Sequence, residues 1–300
     1  MQRNSYRRNY GIKDFFKSKS SLSVLMMINI AIWLIIVLID VFCFLFNKSS
    51  PIAAANISNN SLQWLALPSD WDSLLQKPWT IISYMFVHSR FFHVFFNVFT
   101  LFYAGKLFLT YFKRNQIIST YIFGGIVGAI FFVAAMNIFP VFTEQHTNFH
   151  LIGASAAVMA ILLTITTYIP KLEINLWLFG RIKLQYLALI LIAIDILSIP
   201  SGNAGGHFSH IGGMLYGFCY GYYLKRNHHR MQLSSPFERF INRIKSIKYN
   251  RIKQQQAKQE DKKRQENQQT IDNILAKVSR SGYSSLTQEE KDILFSKSNK

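Results

Sequence analysis

Three short clusters hold the polar groups from which chemistry could be built. HSRFFHVFFN carries His88, His93 and Asn97 at spacings of five and four. Four residues apart, His93 and Asn97 share one helix face. GASAAVMA, residues 153 to 160, sets Ser155 among Gly153, Ala154 and Ala156. GGHFSHIGGMLYG carries His207 and His210. A serine hydroxyl is a poor nucleophile until a base takes its proton, so this pairing points to acyl transfer with Ser155 as nucleophile and His210 as base. The small neighbours of Ser155 leave its backbone open to a substrate, and its N–H, near a helix start, can face a developing oxyanion. His93 and Asn97 can donate beside it, one such donor being worth about 3 kcal/mol where measured. His88 and His207 read as architectural.

These clusters need elements to position them. Windows of about 20 apolar residues are long enough to cross a bilayer as helices. Six occur, at about Leu22 to Phe46, Phe92 to Phe112, Ile117 to Phe139, Leu151 to Ile169, Gln185 to Ile199 and Phe208 to Leu224. The first is too long for a secretory signal core and reads as an uncleaved anchor. Gly213, Gly217 and Gly221 follow His210 at intervals of four, a spacing that lets helix backbones approach closely. The sixth span is therefore expected against the fourth, with His210 near Ser155.

Lysine and arginine set the orientation. The basic N-terminus (Arg3, Arg7, Arg8, Lys13, Lys17, Lys19), Lys113 with Arg114, the Lys171, Arg181 and Lys183 loop, and the run from Lys225 to Arg230 all fall on one side, read as cytoplasmic. The opposite loops carry only Lys48, Lys77 and Arg90. Both termini are then cytoplasmic, and all three polar clusters lie toward the outer surface.

Composition agrees. Half of the residues are hydrophobic, Phe occurs 26 times and charged residues make up 16 %, which excludes an ordinary soluble domain. The net charge of +18 resides mainly in the ends and alternate loops, so it reflects insertion and anionic lipid at the basic tail rather than nucleic acid. Cys43 and Cys219 lie inside apolar runs and read as small buried hydrophobes, with no disulfide framework. Four segments are expected: residues 1–21 a basic cytoplasmic N-terminus, 22–224 the six-span domain, 225–269 a basic linker and 270–300 a small helical hairpin. In that hairpin IDNILAKV forms one helix, SGYSS the turn, and Thr287 with Glu290 a capping box for the second.

Over roughly residues 20 to 225 the chain resembles the rhomboid intramembrane serine proteases. GASA at 153 to 156 resembles that family's nucleophile motif, and HIGG at 210 to 213, with the glycines beyond, resembles its histidine span. His88, His93 and Asn97 are similar to its second-span motif, and PWTIISYMFVH to the stretch before that span. The resemblance implies an all-α, six-helix polytopic membrane bundle with a cytoplasmic helical tail. It also implies a serine–histidine dyad without an acidic third member, and Asp195 is accordingly left out. The implied reaction is cleavage of transmembrane protein substrates near the outer surface, with no cofactor and no metal. The expected setting is a bacterial cytoplasmic (inner) membrane. Three positions depart from the family pattern: Ala156 follows the serine where glycine is frequent, Met159 replaces an aromatic that packs on the histidine, and Leu109 stands where many members carry an acid.

Rival readings are a transporter, a haem protein using membrane histidines as axial ligands, and an inactive rhomboid-like protein that binds membrane clients. A zinc protease is disfavoured because no His-Glu-x-x-His sequence occurs.

Overall fold

A chain in lipid must satisfy its backbone N–H and C=O groups internally, and each of the six apolar windows contains a helix. The computed structural model describes residues 20–46, 62, 64–143, 149–176, 180–227 and 236–298. In chain order the elements are α1 (Ser21–Phe46), β1 (Leu67–Pro68), α2 (Trp71–Gln76), α3 (Thr80–Ser83), α4 (Phe91–Tyr111), α5 (Arg114–Ile138), α6 (Pro140–Thr143), β2 (His150–Leu151), α7 (Ser155–Tyr168), β3 (Glu173–Leu176), β4 (Gly180–Lys183), α8 (Leu184–Ser198) and α9 (Ala204–Arg226). Two further helices, α10 (Pro236–Ser281) and α11 (Gln288–Ser298), belong to a second compact unit. The basic N-terminal residues up to Lys19, together with Lys48, His228, His229 and Arg230, lie outside the described residues.

Among the described residues four helices, α1, α4, α5 and α8 continued to Ser201, are long and apolar enough to cross a membrane. Their outward faces carry Phe42, Leu45, Phe92, Leu189 and Leu197, all exposed. In water such faces would be unstable; against lipid tails they are matched. Cys219 is also exposed and Cys43 only half-buried, so the expectation that both are buried is corrected. Their apolar surroundings belong to the outside of the bundle.

The fourth window departs most from expectation. Its helix begins at Ser155 rather than Leu151, because Leu151 pairs with Leu67 in a short antiparallel bridge and Gly153 adopts φ +121°. The remaining α7 has 14 residues and spans about 21 Å, short of a hydrocarbon core of about 30 Å. It is buried on nearly every side, with α4, α5 and α9 packed around it. Small residues make that possible: a Cβ on Gly213 or Gly217 would collide with the carbonyl of Ala156 or Ala160 on α7. The expected contact of the last bundle helix with the nucleophile helix is present, and it is the most extensive helix pairing in the bundle.

Polar ties fix the other helices. Asn29 of α1 donates to Tyr121 Oη of α5 at 3.1 Å, and that hydroxyl donates to the Met85 carbonyl at 2.9 Å. Tyr84 Oη donates to the Gly125 carbonyl at 2.7 Å, joining the stretch before α4 to α5. Within the Lys171 to Lys183 loop, β3 and β4 pair antiparallel.

The 225–269 segment, expected as a linker, is helical from Pro236 onward and continues without a break to Ser281. Lys, Arg, Gln and Glu are strong helix formers, so a polar helix forms there without burying a core. After Gly282 the Thr287 capping box forms as expected: Thr287 N–H donates to Glu290 Oε2 at 2.8 Å and Glu290 N–H to Thr287 Oγ1 at 3.3 Å. Ile274 of α10 and Leu286 of the connection are buried.

Candidate active site

Ser155 is the first residue of α7, and the loop before it is held on three sides. Leu151 is bridged to Leu67, Gly153 N–H donates to the Tyr84 carbonyl at 2.9 Å, and Ala154 N–H donates to His88 Nε2 at 3.3 Å. That last bond requires a lone pair on Nε2, hence a neutral imidazole. Burial lowers the His88 pKa to about 4, and the nearby His93 pushes in the same direction. The architectural reading of His88 is thus given a specific form: it anchors the peptide next to the nucleophile. Gly153 is constrained twice, by its φ and because a Cβ there would lie 2.7 Å from His93 Nε2.

With α9 seated on α7, His210 Nε2 lies 2.6 Å from Ser155 Oγ. Both line a cavity of about 870 Å³ that also reaches His93 and Asn97. Asn97 gives one amide hydrogen to the His93 carbonyl of its own helix at 2.8 Å, and the amide carries two. All four residues expected to carry chemistry are therefore brought to one cavity, with Gly153 in the loop before Ser155, His88 bonded to that loop, and Gly213 and Gly217 in the helix contact.

The residue that the sequence reading left out is Asp195. Its Oδ1 on α8 lies 2.8 Å from His210 Nδ1 and 2.7 Å from His207 Nδ1, and the carboxylate is buried. This corrects the expectation that no acid stands near the histidine. A signal was available: Asp195 is the one charged residue in the 15-residue α8, and a charge at membrane depth is seldom idle. His207 likewise does more than fill space. The expectation of no metal has a related point: the ligand atoms of Asp195, His207 and His210 lie within 4.8 Å of one another, a donor set that a divalent cation could use. Their N···O separations are those of direct hydrogen bonds.

Met159 lies one turn beyond Ser155 and packs into an apolar seam with Leu163 of α7, Ala188 and Ile192 of α8, and Ile211 and Met214 of α9. The three helices that bring Ser155, Asp195 and His210 together thus share one hydrophobic floor. Leu109, half-buried against the main core, takes part in packing.

The Rhomboid domain family matches residues 75–227, and residues 247–300 match a family of unknown function, DUF6576. RHOMBOID-like protein 6, mitochondrial, of Arabidopsis thaliana is 27 % identical over 179 residues, which cover 58 % of this chain and 51 % of that protein. The chain spans about half the length of the relative it matches. The matched domain covers half of the chain and contains the serine loop, the histidine helix and the cavity between them. A bundle of apolar helices with this domain is an integral membrane protein, and the chain belongs to the rhomboid family.

Proposed function

We propose that this protein is an intramembrane serine endopeptidase, with Ser155 as nucleophile and His210 as base, acting on transmembrane segments near the outer membrane surface. The observation that carries this reading is the 2.6 Å contact between Ser155 Oγ and His210 Nε2 on the wall of an open cavity. The topology that goes with it has six spans, α7 and α9 serving as the fourth and sixth, and both termini on the cytoplasmic side.

In the proposed reaction Ser155 Oγ attacks the scissile carbonyl carbon while its proton passes to His210 Nε2. The carbonyl π pair moves onto oxygen, where His93, Asn97 and the Ser155 N–H stabilise it. Collapse restores the carbonyl, breaks the C–N bond and delivers the proton from Nε2 to the departing nitrogen. Water then gives a proton to Nε2 and attacks the acyl ester; the ester C–O bond breaks and the proton returns to Oγ. One peptide bond and one water are consumed, yielding an amine and a carboxylic acid.

The short α7 supports catalysis below the membrane surface, and the cavity gives water a route to it. Suitable substrates are single-span or anchored proteins whose helix unwinds readily near the outer surface. Lipid is the second partner, with anionic headgroups beside the basic tail. Reconstituted protein should cleave a model single-span substrate, and Ser155→Ala and His210→Ala should each abolish cleavage. Undiminished cleavage by either variant sinks the assignment.

A further inference from the structure

Asp195 Oδ1 stands on the far side of the His210 ring from Ser155. The line runs from Asp195 Oδ1 to His210 Nδ1 at 2.8 Å, and from His210 Nε2 to Ser155 Oγ at 2.6 Å. We infer that Asp195 is a positioning residue for the reaction proposed above, holding His210 in the tautomer that can act as base, with His207 bracing the carboxylate.

An ionised carboxylate only accepts hydrogen bonds, so each imidazole facing Oδ1 through Nδ1 must carry its proton there. For His210 this leaves a lone pair on Nε2, facing the serine. Without the carboxylate the neutral ring is free to place its proton on Nε2, a form that cannot accept the Ser155 proton. The carboxylate also stabilises the imidazolium formed during attack. It therefore supplies the orientation that an aromatic residue at position 159 would give by stacking.

Two features separate this from an incidental helix tie. A carboxylate buried in an apolar helix is costly unless well partnered, and one oxygen of Asp195 lies within hydrogen-bond distance of two imidazole Nδ1 atoms. His207 opens α9 one turn before His210, so carboxylate and base are braced from the same helix. Among the described residues the other titratable groups lining the cavity are Arg90, His93 of α4 and His150.

The inference rests on the serine peptidase reading, and the test separates the two. The full-length protein is reconstituted in phosphatidylethanolamine–phosphatidylglycerol vesicles with a model single-span substrate, and Ser155 is titrated independently with a fluorophosphonate probe. Asp195→Asn is close to isosteric and its amide can donate to Nδ1, forcing the wrong tautomer. Cleavage kcat is expected to fall by about 10³- to 10⁴-fold with KM nearly unchanged, and probe labelling should slow in parallel. Asp195→Glu, which keeps the carboxylate, should retain more activity than Asp195→Asn. The ¹⁵N spectrum should show the His210 proton on Nδ1 in wild type and on Nε2 in Asp195→Asn. Wild-type kcat and labelling in Asp195→Asn, or a His210 tautomer that does not change, overturns the positioning role. So does loss of wild-type cleavage in EDTA with recovery on adding zinc, which would make the same three groups metal ligands. A wild type that neither cleaves nor takes up the probe means instead that the peptidase reading has failed.

Discussion

Gly213 of α9 faces the Ala156 carbonyl of α7 with no space for a side chain between them. Ala156 follows the nucleophile and Gly213 lies three residues beyond His210, so this backbone contact sets how near the two reacting groups come. Gly213→Ala forces the helices apart. Overpacking of this kind costs about 1–3 kcal/mol, and a displacement of about 1 Å at reacting groups can cost about 10²-fold in rate. The variant should unfold at lower temperature in detergent and lose about 10²-fold in kcat/KM, whereas Cys219→Ala, on the exposed face of the same helix, should change neither. Equal activity of the two variants would remove the contact from the account of the site.

The oxyanion role proposed for Asn97 makes a kinetic prediction. An interaction made only in the transition state affects kcat, while uniform substrate binding affects KM. Asn97→Ala should therefore lower kcat by about 10²- to 10³-fold with KM little altered. A raised KM at constant kcat would reassign Asn97 to substrate recognition. Because its amide also ties back to the His93 carbonyl, thermal stability should be measured alongside.

His88 supplies a pH test. Its folded-state pKa, lowered by burial to about 4, lies below an unfolded value near 6.5, so between these limits the unfolded chain binds the extra proton. Stability contributed by the neutral ring is complete above about pH 6.5 and is lost as pH falls toward 4, by up to about 3 kcal/mol. His88→Gln keeps an acceptor for the Ala154 N–H but does not titrate. Thermal unfolding in detergent should decline more steeply from pH 7 to pH 5 in the wild type than in this variant. Parallel declines would show that His88 is not the group responsible.

Much of this arrangement was legible in the sequence, and the reasons differ by element. Apolar length marks the six windows in which helices form, and glycines at intervals of four mark the α7–α9 contact. Ser155, His210, His93 and Asn97 stood out as polar groups retained at membrane depth. The late start of α7 was hidden because Leu151 is as apolar as the helix it precedes; only Gly153 hints at the break. Asp195 was set aside because its partners lie on another helix, 12 and 15 residues along the chain, a proximity that no spacing rule provides. The continuation of α10 through the basic segment leaves no apolar pattern to mark it, because helix propensity acts without burial.

In the second unit one carboxylate holds two elements together. Glu290 accepts from Lys277 Nζ at 2.8 Å and from the Thr287 N–H at 2.8 Å, so it both caps α11 and clamps that helix to α10. Lys277 first, and the Thr287 amide second, hold its carboxyl below the usual carboxylate range. A lowered folded pKa means that the clamp is fully present above the ordinary carboxylate value near 4.5 and is lost as pH falls through the lower, folded one. Glu290→Gln removes the charge and keeps much of the shape. Hydrogen exchange of the full-length protein, corrected for intrinsic rates, should find peptides across Gly282 to Glu290 less protected in Glu290→Gln than in wild type at pH 7. Acidifying to pH 3 should reduce wild-type protection toward the variant's level and leave the variant little changed. Added salt should narrow the difference, since both partners are partly exposed. Identical protection of the two proteins at pH 7 would mean that the buried Ile274 and Leu286 hold the hairpin without help from the clamp.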